Sequence, residues 1–301
     1  MRETSDNQSS SREALEGVSH ERLIADAASE LASAGIENPR LDAETMLAAA
    51  CHRSRTAVIC GLANVDGPAR ERYVAMIARR MQREPLAYIL GHKEFYSLEF
   101  EVTPSVLIPR PETETVVDAA LQFLRERATQ RVCDIGTGSG AIALSIAANA
   151  PAAQVTATDI SAEALAIARR NAVRFGFVSR VRFRLADCFE AMDGMGPLGR
   201  FDLIVSNPPY IPEDHIAGLA PEISRYEPRA ALAAGHDGLE LYRRLALALT
   251  DHLENGGCTI VEIGASQLKA VNEIMRSAGG VEIKVVPDFA GLPRVAVTHF
   301  K

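Results

Sequence analysis

From Arg131 onward, apolar runs of strand length alternate with amphipathic runs of helix length, and this alternation restricts the fold more than any other feature of the chain. The spacing predicts strands over 131–135, 154–158, 181–185, 201–205 and 258–263, with helices over 141–149, 162–175, 239–253 and 266–278. Ser161 stands where the second helix needs an N-cap and Gly176 where it needs a stop. Parallel strands cannot be joined by a tight turn, so a strand–helix–strand succession implies a parallel sheet with helices on both faces. The last segments, 281–286 and 294–299, flank a turn-rich loop and predict an antiparallel pair at the sheet.

Upstream the pattern changes. Leu23, Ala27, Leu31 and Ala34 follow helical spacing and end at Gly35. Asn38-Pro39 opens a second helix with Leu41, Thr45 and Ala48 on one face, and Asp66-Gly67-Pro68 opens a third with Tyr73, Ile77 and Met81 on one side. Phe95 to Val102 alternates as a β-hairpin does, and two prolines, Pro109 and Pro111, precede a helix carrying Val116, Val117, Ala120 and Leu124. The expected organisation is a disordered tail over 1–18, a helical domain over 19–90 whose role is either structural or a grip on a macromolecular partner, a β-hairpin linker over 91–110 and an α/β domain over 111–301. The 301 residues, 47% hydrophobic and 24% charged, suffice for one large and one small domain.

Several function classes are disfavoured. A net charge of -7 argues against a chain that coats nucleic acid, because phosphate binding needs surplus Lys and Arg. Cys51, Cys60, Cys133, Cys188 and Cys258 form no C-x-x-C pair and no disulfide framework, and the histidines are dispersed. We therefore expect no metal site and a cytoplasmic, reducing setting. The N-terminal stretch lacks an apolar core of the secretory kind, and no apolar run is long enough to predict a membrane span.

The first strand runs Val132-Cys133-Asp134-Ile135 into Gly136-Thr137-Gly138-Ser139-Gly140 and then a helix. Glycines there permit positive φ and bring bare backbone close to a ligand outside the carboxyl end of the strand. Asp159, ending the next strand, is placed to accept hydrogen bonds from both ribose hydroxyls of an adenosine. Asp187 is placed for the adenine edge, with Cys188 and Phe189 as its wall, although core packing accounts equally well for Phe189. These residues fit a nicotinamide dinucleotide as well as S-adenosylmethionine, because Gly136, Gly138 and Ala141 also satisfy G-x-G-x-x-A.

The discriminating segment is Phe201 to Tyr210, an apolar strand ending in Asn207-Pro208-Pro209-Tyr210. Each proline fixes its own φ and restrains its predecessor, so the turn presents carbonyl oxygens from stiff backbone. The Asn207 side-chain oxygen adds an acceptor, and Tyr210 can stack on a flat target. Fixed acceptors hold both N–H groups of a planar amide or exocyclic amine and aim its nitrogen at a methyl donor. Positioning then supplies much of the rate, without an obvious general base.

With these motifs in place, the chain resembles the release factor glutamine methyltransferases, the protein-(glutamine-N5) methyltransferase family. The resemblance rests on Leu107 to Glu114, Asp134 to Gly140, Ser206 to Ile211, and Arg225-Tyr226-Glu227-Pro228 with Gly238-Leu239. It implies a Rossmann-like class I S-adenosylmethionine methyltransferase domain behind a small helical domain that helps recognise a release factor. It also implies, as substrate, the glutamine of the Gly-Gly-Gln motif in class 1 peptide chain release factors. Gly136 to Gly140, Asp159 and Asn207 carry over as S-adenosylmethionine contacts, and Asn207, Pro208, Pro209 and Tyr210 as the glutamine clamp. Some members have Trp after the acid that matches Asp187, where this chain has Cys188. No nucleic acid, membrane or metal partner is expected. Arg110, Glu112 and Arg225 are weaker candidates, since paired loop charges account for them.

Other readings remain open at this point. A glutamine methyltransferase for a ribosomal protein shares both motifs, though the Arg110 to Glu114 stretch favours the release factor branch. An adenine-N6 DNA methyltransferase uses a similar tetrapeptide on a flipped base, against which the acidic charge counts. A nicotinamide oxidoreductase or a non-catalytic binding module leaves Asn207 to Tyr210 unexplained.

Overall fold

Residues 19–288 and 290–301 are described by a computed structural model and fall into two units, divided between Leu90 and Gly91. The expected tail over 1–18 lies outside the described residues.

The first unit is helical. His20–Ser33 is capped by Ser19, whose side chain accepts from the Arg22 amide, and it buries Ile24, Ala27 and Leu31. Gly67–Met81 is capped by Asp66, which accepts from the Ala69 amide at 2.8 Å. Met46, Leu47, Val58, Tyr73 and Ile77 complete the core. In Pro39–Ala50 the face with Leu41 and Thr45 is not the one buried: Leu41 is exposed and Thr45 half-buried, whereas Asp42 and Glu44 are buried. Pairing is the reason, since burial of a carboxylate requires a partner. Arg80 donates to Asp42 at 2.8 Å, and Arg40 and Arg55 donate to Glu44 at 3.0 and 2.9 Å. Met81 is likewise exposed while Tyr73 and Ile77 are buried. The short helices Arg55–Ile59 and Leu86–Leu90 carry too few turns to show a period.

The strands of the second unit are β1 (His92–Phe95), β2 (Leu98–Glu101), β3 (Arg131–Ile135), β4 (Gln154–Asp159), β5 (Val181–Asp187), β6 (Glu190–Ala191), β7 (Phe201–Ser206), β8 (Leu253–Glu262), β9 (Glu282–Pro287) and β10 (Pro293–His299). Eight of them form one sheet in the order β6-β5-β4-β3-β7-β8-β10-β9. The pairs from β5 through β8 are parallel, while β10 is antiparallel to both β8 and β9. This is the expected α/β architecture, with the C-terminal antiparallel pair at one edge. Two details differ. β6 is too short to show a pattern, and β8 begins at Leu253 rather than Cys258 because Gly256, at φ 73°, and Gly257 interrupt its apolar run. Helix Ala162–Phe175 has the expected boundaries, with Ser161 accepting from the Ala164 amide and Gly176 in the left-handed conformation.

One face of the sheet buries Cys133, Ile135, Phe201 and Ile204 against Tyr242, Leu245, Val271 and Met275 from the helices Glu240–His252 and Leu268–Ser277. Helix Ala141–Asn149 is buried on nearly every side, so it sits beneath other elements rather than at the surface. No helix among the described residues is long and apolar enough to cross a membrane.

β1 and β2 form the expected hairpin, turning at Tyr96 and Ser97, both at positive φ. Such a turn matches strand twist but strains residues with a Cβ. The strain is offset by Glu114, which accepts from the Tyr96 amide at 2.8 Å, and Asp118, which accepts from the Tyr96 hydroxyl at 2.7 Å. Buried Asn171 staples the hairpin inward. Its Oδ1 accepts from the Glu101 amide at 2.8 Å, and its Nδ2 donates to the Glu101 carbonyl at 3.1 Å and the Ser139 carbonyl at 2.9 Å. Asn171→Ala leaves these backbone groups without partners. We expect a loss of about 2 kcal/mol, read from the urea midpoint.

Candidate active site

β3 lies between β4 on one side and β7 on the other: the chain winds outward from β3 through β4, β5 and β6, then crosses back to lay β7 on the far side of β3. Ligands in open α/β sheets bind at this reversal, outside the carboxyl ends of the strands. A cavity of about 510 Å³ opens there. Its walls include Gly136, Thr137, Gly138, Ser139, Asp159, Asp187, Cys188, Asn207 and Pro209. Of the other candidates, Gly140, Pro208 and Tyr210 do not line it.

The glycines of the β3 turn divide into two kinds. Gly136, Gly138 and Gly140 all have positive φ. A Cβ on Gly136 or Gly138 meets nothing within 4 Å, so these positions turn bare backbone toward open space. A Cβ on Gly140 lies 2.9 Å from Leu144 Cδ1 and 3.3 Å from Ala168 Cβ, so that glycine serves helix packing. Thr137 holds the turn closed: its amide donates to the Thr158 carbonyl at 2.8 Å and its hydroxyl to Asp134 Oδ2 at 2.6 Å. Asp134 is fully buried, its Oδ1 has no hydrogen-bond partner among the described residues, and burial pushes its carboxyl up to about 7.

Asp159 accepts from the Gly138 and Ser161 amides, each at 2.9 Å, one at each oxygen. Burial raises its pKa while these amides work against the rise. The Ile160 amide also favours the carboxylate, and with about four acceptor sites the group keeps capacity for an outside donor. Asp187 is ion-paired at 2.7 Å with Arg244, a wall residue without a motif of its own. Cys188 takes a positive φ of 57° and lines the cavity. Phe189 does not: it belongs to the core and stacks on His252 at 4.3 Å.

The Asn207 segment is fixed from several sides. Ser206 donates to the Ile135 carbonyl at 2.7 Å, tying the end of β7 to the start of the glycine turn. Asn207 Nδ2 donates to Thr113 Oγ1 at 3.0 Å, and Thr113 in turn donates to Glu262 Oε2 at 2.6 Å. The Tyr210 hydroxyl donates to Glu262 Oε1 at 3.3 Å. Burial raises the pKa of Glu262, opposed by the Thr113 and Tyr210 hydroxyls and the charge of Arg294; burial beside Glu262 also pushes Tyr210 up to about 12. The Tyr210 carbonyl accepts from Gln267 Nε2 at 2.9 Å, and the same nitrogen donates to the Gly238 carbonyl at 3.1 Å.

The Arg110 to Glu114 stretch works as a set of ties. Arg110 is ion-paired with Glu227, whose side chain is fully buried; Thr113 reaches Asn207; Glu114 holds the hairpin turn. Arg225 is exposed on Pro221–Tyr226 and shapes no wall of the cavity. Sequence reasoning missed Glu262, Gln267 and Arg244. It could have found Thr113 by asking what a hydroxyl does inside a motif otherwise made of charges and prolines.

Comparison with known proteins agrees with this arrangement. A family model described as the PrmC N-terminal domain matches residues 22–91, and one described as the methyltransferase small domain matches 114–222. A release factor glutamine methyltransferase of Moorella thermoacetica is 42% identical over 280 residues, covering 92% of this chain and 97% of the relative. One of Geobacter sulfurreducens is 44% identical over 271 residues, covering 88% and 91%. For fold alone, the hMettl16 catalytic domain, solved with a MAT2A 3'UTR hairpin, is 18% identical with a TM-score of 0.55 over 79% of this chain and 83% of that one. Relatives of this identity and coverage, together with a Rossmann-like sheet that gathers the glycine turn and Asn207 at one cavity, show that the chain belongs to the release factor glutamine methyltransferase family.

Proposed function

We propose that the chain methylates the side-chain amide nitrogen (N5) of the glutamine in the Gly-Gly-Gln motif of class 1 release factors. S-adenosylmethionine is the methyl donor, and N5-methylglutamine and S-adenosylhomocysteine are the products. The observation that carries this reading is the meeting of two chemistries at one cavity: bare glycine backbone with Asp159, and the Asn207 amide at the end of the neighbouring strand.

The residues present fit S-adenosylmethionine. The cavity lies within the range of about 300–1,000 Å³ usual for small-molecule sites. Gly136 and Gly138 leave room that a side chain would fill, and the Asp159 carboxylate suits the hydroxyls of a ribose. When bound, that cofactor supplies an electrophilic methyl on a sulfonium. Asn207 Oδ1 and the backbone of the stiff turn that Pro208 and Pro209 hold would accept the N–H groups of the substrate amide. Held in this way, the amide nitrogen would be aimed at that methyl group, and the proton it sheds on methylation would pass to solvent. Orientation supplies most of what the chain contributes to the rate. Residues 19–90, with a core of their own, are assigned to release factor recognition, and a cytoplasmic reaction follows from that substrate.

Mass spectrometry of a purified release factor after incubation with the enzyme and S-adenosylmethionine should show one added methyl on the Gly-Gly-Gln peptide. A methyl appearing instead on a ribosomal protein would overturn the substrate assignment. Calorimetry against NAD tests the cofactor: binding of NAD alone overturns it. Asp159→Asn exchanges one acceptor oxygen for a donor amide. We expect S-adenosylmethionine affinity to fall about 10- to 100-fold, measured by the same titration.

A further inference from the structure

An asparagine amide has the same shape either way round, so sterics alone do not decide whether it shows its oxygen or its nitrogen to a ligand. Hydrogen bonding decides. As a carboxylate, the form that the Thr113 and Tyr210 hydroxyls and the charge of Arg294 favour against burial, Glu262 accepts and does not donate, and it is nearly sealed from solvent, at 1% exposure. Two hydroxyls point at it, Thr113 at 2.6 Å and Tyr210 at 3.3 Å. The single Thr113 proton is therefore committed to Glu262. The Thr113 oxygen can then only accept, and it faces Asn207 at 3.0 Å. Asn207 must present Nδ2 to Thr113, which turns Oδ1 the other way, on a residue that lines the cavity.

Resting on the reading of Asn207 as the substrate clamp, we propose that Thr113 and Glu262 are positioning residues that set the polarity of the Asn207 amide. The site thereby takes a neutral amide donor and rejects a carboxylate. A glutamine side chain offers two N–H groups to Oδ1 and the neighbouring backbone acceptors. A glutamate side chain offers only oxygens, which Oδ1 repels. A buried carboxylate is a costly way to anchor two hydroxyls, since a neutral group could bond to them with less desolvation. What a carboxylate alone supplies is a one-way direction for both protons. The framework around it is fixed: the Tyr242 hydroxyl donates to the Glu262 carbonyl at 2.7 Å, and the Ile263 amide donates to the Arg294 carbonyl at 2.8 Å.

The test uses the full-length enzyme, S-adenosylmethionine and a purified release factor. Thr113→Val keeps the shape and removes the hydroxyl. It should cut kcat about 10- to 100-fold while KM for the release factor and the affinity for S-adenosylmethionine stay near those of the unmodified enzyme. Thr113→Ser should restore most of the lost kcat. Glu262→Gln must donate at one end and so cannot accept both hydroxyls; it should lose kcat in the same way, and it serves if the valine variant fails to fold. The proposal is overturned if Thr113→Val turns over normally, or, where that variant fails to fold, if Glu262→Gln does, or if serine fails to rescue. Asn207→Ala separates this from the parent reading: an inactive alanine variant beside a fully active Thr113→Val condemns the polarity relay alone, whereas a fully active Asn207→Ala condemns the clamp itself.

Discussion

Replacing Asn207 with alanine lowers turnover about 10²–10³-fold, the loss usual for a fixed partner of a reacting group. The residue stands at the wall of the cavity with its amide held by Thr113, so its oxygen is positioned before any substrate arrives. A free side chain would have to be ordered during the reaction; this one is ordered by folding. The loss should fall mainly on kcat, because what Asn207 is proposed to supply is the orientation of the reacting amide. Affinity for S-adenosylmethionine should change little, since the glycine turn and Asp159 are untouched. Single-turnover methylation and calorimetry on the same preparation check both parts. Near-normal turnover would remove Asn207 from the mechanism.

Gly238→Ala produces the largest structural effect we expect from a change outside the cavity wall. The added Cβ lies 2.4 Å from the Tyr210 carbonyl oxygen and 2.6 Å from Gln267 Nε2, and φ at the site is +74°. Both neighbours already bond to each other, so neither can yield without breaking the tie that fixes Tyr210. Overpacking and backbone strain together should cost about 2–4 kcal/mol, read from the urea midpoint. Turnover falls with it as the Asn207 segment shifts. Gly138→Ala is the contrasting case. Its Cβ meets nothing within 4 Å, so stability drops by only about 1 kcal/mol from the positive φ, while cofactor affinity drops because the methyl points into open space.

Those two glycines show what sequence alone makes legible. Gly138 lies in a strand-to-helix turn whose local pattern announces a ligand, and the position of Asp159 follows from counting strands. Asn207 to Tyr210 is legible for the same reason: two prolines at the end of an apolar strand declare a stiff turn. Glu262 is a different case. It stands 149 residues from Thr113 and 52 from Tyr210, and inside an apolar strand a lone glutamate has no local signature. Its role exists only once the sheet order sets β8 beside β7. Leu41 is a related case. Periodicity assigns charged residues to the outside, and the Asp42–Arg80 and Glu44–Arg40 pairs, formed between distant or successive turns, bring them in. Cys188 directly follows β5 and so reaches the cavity, but its left-handed backbone is not something a cysteine predicts.

Asn171 carries a consequence beyond stability. One side chain grips the hairpin at Glu101 and the glycine turn at Ser139 at once. Two places that share a fastening share their fluctuations: the turn cannot loosen without slackening the hairpin. Thermodynamic reciprocity then applies in both directions. Whatever factor a bound cofactor adds to the order of the hairpin, a molecule that orders the hairpin returns to the cofactor as affinity.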